Sequence, residues 1–235
     1  MKYKAILFDM DGTLLPMNMH HFSSNYFKLL YMKLAKYGLK AEDFAGNIWA
    51  SVGAMVKNDG SRTNEKAFWD KFEELTGVSF DTAGADCNDF YGHEFHQAKA
   101  FTGENPLAKE AVRIAREKAD KVILSTNPLF PMVGQESRMS WVGLTPADFD
   151  LVTSYESDSF CKPNPEYFRS IFDRIGVASS ECLLIGNDEN EDMYAGTLAG
   201  MDCYLVTDCI EASEEHPWNG PKGTFTEMIK MLESL

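Results

Sequence analysis

Ala5-Ile6-Leu7-Phe8-Asp9-Met10-Asp11-Gly12-Thr13 carries an apolar run straight into two carboxylates and a glycine. The run from Tyr3 to Phe8 has the length of a buried strand and lacks in/out alternation, as expected for a strand covered by helices on both faces. Asp9 and Asp11 follow at its carboxyl end, where ligands of open α/β sheets bind. Residues i and i+2 of extended chain point the same way, so both acids can face one site, and Gly12 permits a tight turn beyond them. Taken alone, D-x-D-G is also an ordinary solvated turn.

Four further apolar runs read as the same type of strand: Lys121 to Thr126, Asp150 to Thr153, Cys182 to Ile185 and Cys203 to Val206. Helical patterns separate most of them. Leu107 to Lys118 opens with Asn105-Pro106, and Asn164-Pro165 repeats that signature before Tyr167, Phe168, Ile171, Phe172 and Ile175, which Gly176 closes. Met193 to Ala199 is a shorter helix ending at Gly200. This alternation predicts an α/β fold with a doubly wound parallel sheet.

Residues 17–102 interrupt the pattern. Helical spacing recurs at Phe22, Tyr26, Leu30 and Leu34, at Phe44, Ile48, Val52 and Val56, and at Phe68, Phe72 and Leu75, with a fourth helix suggested by Phe90 and Phe95. A crossover of this length exceeds what a βαβ unit needs. The expected division is an α/β core of residues 1–16 and 103–235 and an inserted all-helical cap of residues 17–102. The aromatic stripes are expected to form the core of that cap, not a cofactor box.

Lys plus Arg number 22 against 36 Asp plus Glu, a formal net charge of −14. That balance argues against duplex nucleic acid and anionic membranes as partners, because both require a basic footprint. It leaves a phosphorylated small molecule open, since a metal ion and a few aimed cations can dominate a cleft. No apolar run reaches the length of a membrane span. The start, with Lys2 and Lys4, resembles a signal peptide until Asp9 and Asp11 cut the apolar stretch short, so a cytoplasmic protein is expected. Cys87, Cys161, Cys182, Cys203 and Cys209 are scattered, without a C-x-x-C pair, and read as reduced thiols.

The later strands end in a matching series. Leu124-Ser125-Thr126-Asn127-Pro128 places hydroxyls at the second, Cys161-Lys162-Pro163-Asn164-Pro165 follows the third, and Gly186-Asn187-Asp188-Glu189-Asn190-Glu191-Asp192 closes the fourth. Two acids, a hydroxyl, an ammonium and an acidic cluster are thus delivered to one rim. Such a set suits phosphoryl transfer. A carboxylate can attack phosphorus, a second acid can protonate the leaving group and then activate water, and Mg²⁺ suits the oxygen ligands.

With these motifs in this order, the sequence resembles the haloacid dehalogenase (HAD) superfamily of phosphohydrolases. D-x-D-G-T is matched at Asp9 to Thr13, the Thr or Ser of the second motif at Thr126 with Ser125 as alternative, the lysine of the third at Lys162, and the acidic fourth at Asn187 to Asp192. The helical insertion resembles the family's C1-type cap. The resemblance implies Asp9 as nucleophile, Asp11 as general acid/base, Thr126 as phosphoryl ligand and Lys162 as the neutralising cation. It also implies phosphoryl contacts from the backbone amides of Met10 and Asn127. Mg²⁺ would be held by the Asp9 side chain, the Asp11 carbonyl and a side chain of the fourth motif, Asp188 or Asn187. The family often has Asp where this chain has Asn187, and Asp192 is expected to support Lys162 or the loop.

The resulting expectation is a Mg²⁺-dependent phosphatase acting on a small phosphomonoester through an aspartyl phosphate. Transfer to a sugar hydroxyl, as in family mutases, and a non-catalytic binding protein on the same scaffold are the alternatives. Asn18 and Arg62, in polar stretches of the insertion, are candidate substrate contacts, as is Arg138, which could instead pack with Trp141 under the site. His20-His21 and His93-x-x-His96 lack a cysteine or acid at a matching zinc spacing.

Overall fold

The structure is a computed structural model and describes residues 2–235. Its sheet has six parallel strands in the order β3-β2-β1-β4-β5-β6. They are β1 (Ala5–Phe8), β2 (Lys121–Leu124), β3 (Leu151–Val152), β4 (Cys182–Gly186), β5 (Asp202–Val206) and β6 (Lys222–Gly223). β1 lies in the middle, paired in register with β2 through Phe8 opposite Leu124 and with β4 through Phe8 opposite Ile185. The chain runs outward from β1 in both directions, so the carboxyl ends of β1, β2 and β4 bound one crevice.

All four residues of β1 are fully buried. Ile6 and Phe8 pack into a core with Val122, Leu124 and Ile185, whereas Ala5 and Leu7 join Tyr167, Phe168 and Met193 on the opposite face. Burial on both faces is why the strand shows no polar alternation. Helices α5 (Ala108–Lys118), α6 (Met132–Trp141), α7 (Glu166–Ile175), α8 (Ala195–Ala199) and α9 (Phe225–Glu233) complete this part of the molecule. The five expected strands are present: β4 and β5 are each one residue longer than expected, β1 starts two residues later, and β2 and β3 stop short at their carboxyl ends, where the chain turns to build the rim. The two-residue β6 had no apolar signal.

Between β1 and β2 lie α1 (Met19–Leu34), α2 (Ala41–Val56), α3 (Asn64–Thr76) and α4 (Phe80–Gly92), with a 3₁₀ segment over Glu94–Phe101 and no strand. Capping fixes their ends: the side chains of Asn18, Thr63 and Ser79 accept from His21, Lys66 and Thr82 amides at the starts of α1, α3 and α4. The N-cap of α3 is therefore Thr63, and Asn64 is its first helical residue. The face Phe22-Tyr26-Leu30-Leu34 is buried throughout. Tyr26, Phe90, Tyr91 and Phe95 form an edge-to-face aromatic cluster that continues into Phe130 and Trp141 of the α/β part. The chain leaves and re-enters the α/β part side by side, where the Gly103 amide donates to Pro16 O at 2.7 Å.

Candidate active site

The site starts from a turn that only glycine can make. Gly12 has φ +86°, and a Cβ there would run into the side-chain amide of Asn187. The Leu15 amide donates to Met10 O and the Gly12 amide to Leu15 O, both at 2.8 Å, closing the loop that holds Asp9 and Asp11 at the end of β1. The Met10 and Asn127 amides donate to no protein acceptor among the described residues. They are available to a bound anion.

Lys162 is the hub. Its buried ammonium donates to Asp9 Oδ1 at 2.8 Å and to Asp192 Oδ1 at 2.6 Å. Asp192 is fixed in turn, because its Oδ2 accepts the Asn187 and Asp188 amides, each at 3.1 Å. A Cβ on Gly186 would collide with that carboxylate. Burial alone would lower the Lys162 pKa, but Asp192 and Asp9 outweigh it and hold the ammonium well above its ordinary value. Burial pushes the Asp9 carboxyl up to about 7, against the pull of Lys162 and with the push of Asp192 and Asp11. Burial and the Asp188 carboxylate likewise raise Glu191 to about 8. The rim therefore holds more acid than its cations neutralise.

Asp11 is held by Arg138, on α6. The guanidinium is fully buried, pairs with Asp11 Oδ2 through Nη1 and with Gln135 Oε1 through Nη2, and lies 4.0 Å over the Phe130 ring. Asp11 Oδ1 is buried with no hydrogen-bond partner. One carboxylate oxygen is thus anchored and the other is left for exchange. Arg138 packs on Phe130 rather than on Trp141 and is a positioning residue under the site, not an exposed anion contact.

Asp9, Asp11, Thr126, Asn127, Asn187 and Asp188 line one cavity with Glu191 and Asp192. The Thr126 carbonyl accepts from Thr153 Oγ1 at 2.7 Å and Tyr167 OH at 2.9 Å. The Asn127 side chain accepts the Lys162 amide at 3.2 Å and donates to Glu191 Oε2 at 2.9 Å, tying the second, third and fourth motifs together. Glu191 lies in a π-helical turn, Glu189–Tyr194, a distortion common at functional sites. Sequence reading passed over Glu191 and Gln135. The acidic run hinted at the first and nothing at the second.

Three candidates fall elsewhere. Ser125 turns into the core and donates to Phe8 O at 3.2 Å, because alternate strand residues point to opposite sides and Thr126 takes the cleft side. Arg62 forms an exposed ion pair with Asp70 at 2.7 Å. Asn18 is spent as the cap of α1, its Oδ1 accepting the His21 amide at 2.9 Å. Asn187 does reach the cleft, but its Oδ1 accepts from Thr13 Oγ1 at 3.0 Å and its Nδ2 donates to Cys209 O at 2.8 Å. That amide braces two loops. Among the described residues no group of three His, Cys, Asp or Glu side chains converges as a metal cluster. His96 instead accepts from Trp141 Nε1 at 3.0 Å.

The model of the haloacid dehalogenase-like hydrolases matches residues 3–200 of the chain. The chain belongs to that family. It is 33% identical over 89 residues to glyceraldehyde 3-phosphate phosphatase of Methanothermobacter thermautotrophicus, covering 37% of this chain and 39% of that protein. It is 40% identical over 103 residues to the putative HAD-hydrolase YfnB of Bacillus subtilis, covering 43% and 40%. The matched stretches thus span about two fifths of either relative. The magnesium-bound structure of YfnB superposes over 99% of both chains with a TM-score of 0.57 and 19% identity. The HAD phosphatase of Thermococcus onnurineus does so over 97% of both, with a TM-score of 0.60 and 20% identity. At those identities the structures share the fold.

Proposed function

We propose that this haloacid dehalogenase-like hydrolase is a Mg²⁺-dependent phosphatase that cleaves a small phosphomonoester through a phosphorylated Asp9. The observation that carries the reading is the buried Lys162 ammonium bridging Asp9 and Asp192 beside an Asp11 with one anchored and one unpartnered oxygen.

The residues fit a divalent cation. Carboxylates outnumber cations at the rim, and Asp11 Oδ1 is buried without a partner. Asp188 uses Oδ1 to accept the Asn190 and Glu191 amides, both at 2.7 Å, which leaves Oδ2 for a metal. The Asp9 and Asp188 side chains with the Asp11 carbonyl form a hard-oxygen donor set of the kind Mg²⁺ takes, and Asn187, already engaged, is the poorer ligand. When bound, Mg²⁺ supplies positive charge that keeps Asp9 ionised and offsets the charge of the phosphoryl oxygens.

The chain's own groups do the rest. Lys162 orients Asp9 through Oδ1, leaving Oδ2 to attack phosphorus. The Met10 and Asn127 amides and the Thr126 hydroxyl receive the phosphoryl oxygens. Asp11 gives its proton to the departing alcohol oxygen, then takes one from the water that attacks the acyl phosphate, releasing phosphate and restoring Asp9. Arg138 fixes the orientation in which Asp11 does both.

The test is turnover of p-nitrophenyl phosphate with Mg²⁺, with EDTA, and by Asp9→Asn. Loss of activity in EDTA, its return with Mg²⁺, and a fall of at least about 10⁴-fold in the variant are expected. Undiminished turnover by Asp9→Asn would remove Asp9 as the nucleophile.

A further inference from the structure

The cavity over the carboxylates measures about 370 Å³ and has a second wall that the phosphoryl chemistry leaves unused. That wall is formed by Met17, by Met19 and Phe27 of α1, and by Trp49, Val52 and Val56 of α2. Among the described residues that line the cavity there is no lysine, arginine or histidine, and every charged one is an acid. The hydroxyls of this wall, those of Ser23 and Tyr26, are engaged within the protein, with Met19 Sδ at 3.6 Å and Tyr91 OH at 3.1 Å.

Trp49 is 51% and Val56 37% exposed, although both are large and apolar. Their helix continues the stripe Phe44-Ile48, which is buried. The stripe thus leaves the helical core and runs on into the cavity. Phe27 and Trp49 meet edge to face there, ring centroids 5.3 Å apart. A second anionic group on the alcohol half would find no lysine, arginine or histidine among the cavity-lining residues to receive it, and would meet Glu211 instead. A polyol would be stripped of water against methionine, valine and the tryptophan ring, and a single indole N–H could not replace that water. An apolar group, and an aromatic ring above all, covers the wall at no such cost.

We propose that this cavity selects phosphomonoesters whose alcohol half is uncharged and apolar, with an aromatic ring the best fit. The phosphoryl end of the proposal rests on the phosphatase reading above. The alcohol end rests on the helical wall alone.

The experiment compares 2-phenylethyl phosphate, glycerol 3-phosphate and phosphoglycolate, all esters of primary alcohols, with Mg²⁺ present. An advantage in kcat/KM of about 30-fold for the phenylethyl ester is expected from burial of one ring. Trp49→Ala should reduce that advantage about tenfold, and Val56→Arg should move it toward phosphoglycolate. Calorimetry on the unaltered protein with 2-phenylethylphosphonate and phosphonoacetate, which cannot be hydrolysed, should give the same order. Preference for phosphoglycolate or glycerol 3-phosphate, or a ratio that neither variant moves, overturns the inference and leaves the phosphatase reading standing. Selective binding of 2-phenylethylphosphonate without turnover of any ester upholds the inference and overturns that reading instead.

Discussion

The α/β wall of the cleft and the helical wall opposite it are held by different forces. On the first, Asp9, Asp11, Asp188 and Asp192 are each fixed by a charged side chain or a main-chain amide, and Lys162 and Arg138 are buried beneath them. On the second, Phe27, Trp49, Val52 and Val56 are placed by helix packing, and Trp49 and Val56 remain partly open to solvent. Directional bonds hold reacting groups in one geometry. Dispersion and burial are non-directional and impose no single orientation on what they cover. On the proposed reading, the reaction is confined to the strand ends and the choice of alcohol is left to the helices.

Lys162→Met attacks the first wall at its hub. It strands Asp9 and Asp192 without their cation, and a loss of about 3–5 kcal/mol in urea unfolding is expected together with loss of turnover. A variant as stable as the parent would show that the buried network does not hold this wall.

Asn187→Asp distinguishes bracing from metal binding. A carboxylate would oppose the Cys209 carbonyl where Nδ2 now donates at 2.8 Å, so a stability loss of about 1–3 kcal/mol is expected. If Asn187 were the metal ligand, the variant would instead bind Mg²⁺ more tightly with no loss.

Arg138→Met keeps the packing on Phe130 and releases Asp11. A fall in kcat of about tenfold or more, with KM little changed, is expected. The effect should appear in turnover of 2-phenylethyl phosphate and leave the pre-steady-state burst from p-nitrophenyl phosphate, whose leaving group needs no proton. An equal loss in both would make Arg138 merely structural.

The smallest effect belongs to the helices. Ser79→Ala removes the cap of α4 and should cost about 1 kcal/mol in unfolding while kcat stays unchanged.

Several elements were legible in the sequence because local rules set them. The unalternating β1 run, the Asn-Pro helix starts and the glycine after Asp11 each specify their own conformation. The rim residues Asp9, Asp11, Thr126 and Lys162 were legible for a related reason: parallel strands bring their carboxyl ends together, so order along the chain becomes proximity. The resemblance left Asp192 as a support of either Lys162 or the loop, and it contacts both. The stripes at Phe22 and Phe44 likewise identified helices.

Tertiary structure decided the rest. Whether Ser125 or Thr126 faces the cleft depends on the phase of β2, which pairing with β1 fixes. Arg138 lies 127 residues from Asp11, and no local pattern links a guanidinium on α6 to the loop after β1. Asn187 as a brace required the Cys209 loop to lie beside it. Arg62 and Asn18 drew attention by being polar, yet a neighbouring Asp70 and a helix start account for them. Helical spacing identified Val52 and Val56 as one face with Phe44 and Ile48, but it could not say that the face runs past the core into the cavity. Periodicity records which residues share a side, and only the packing of α2 against its neighbours determines where that side stops being covered by protein.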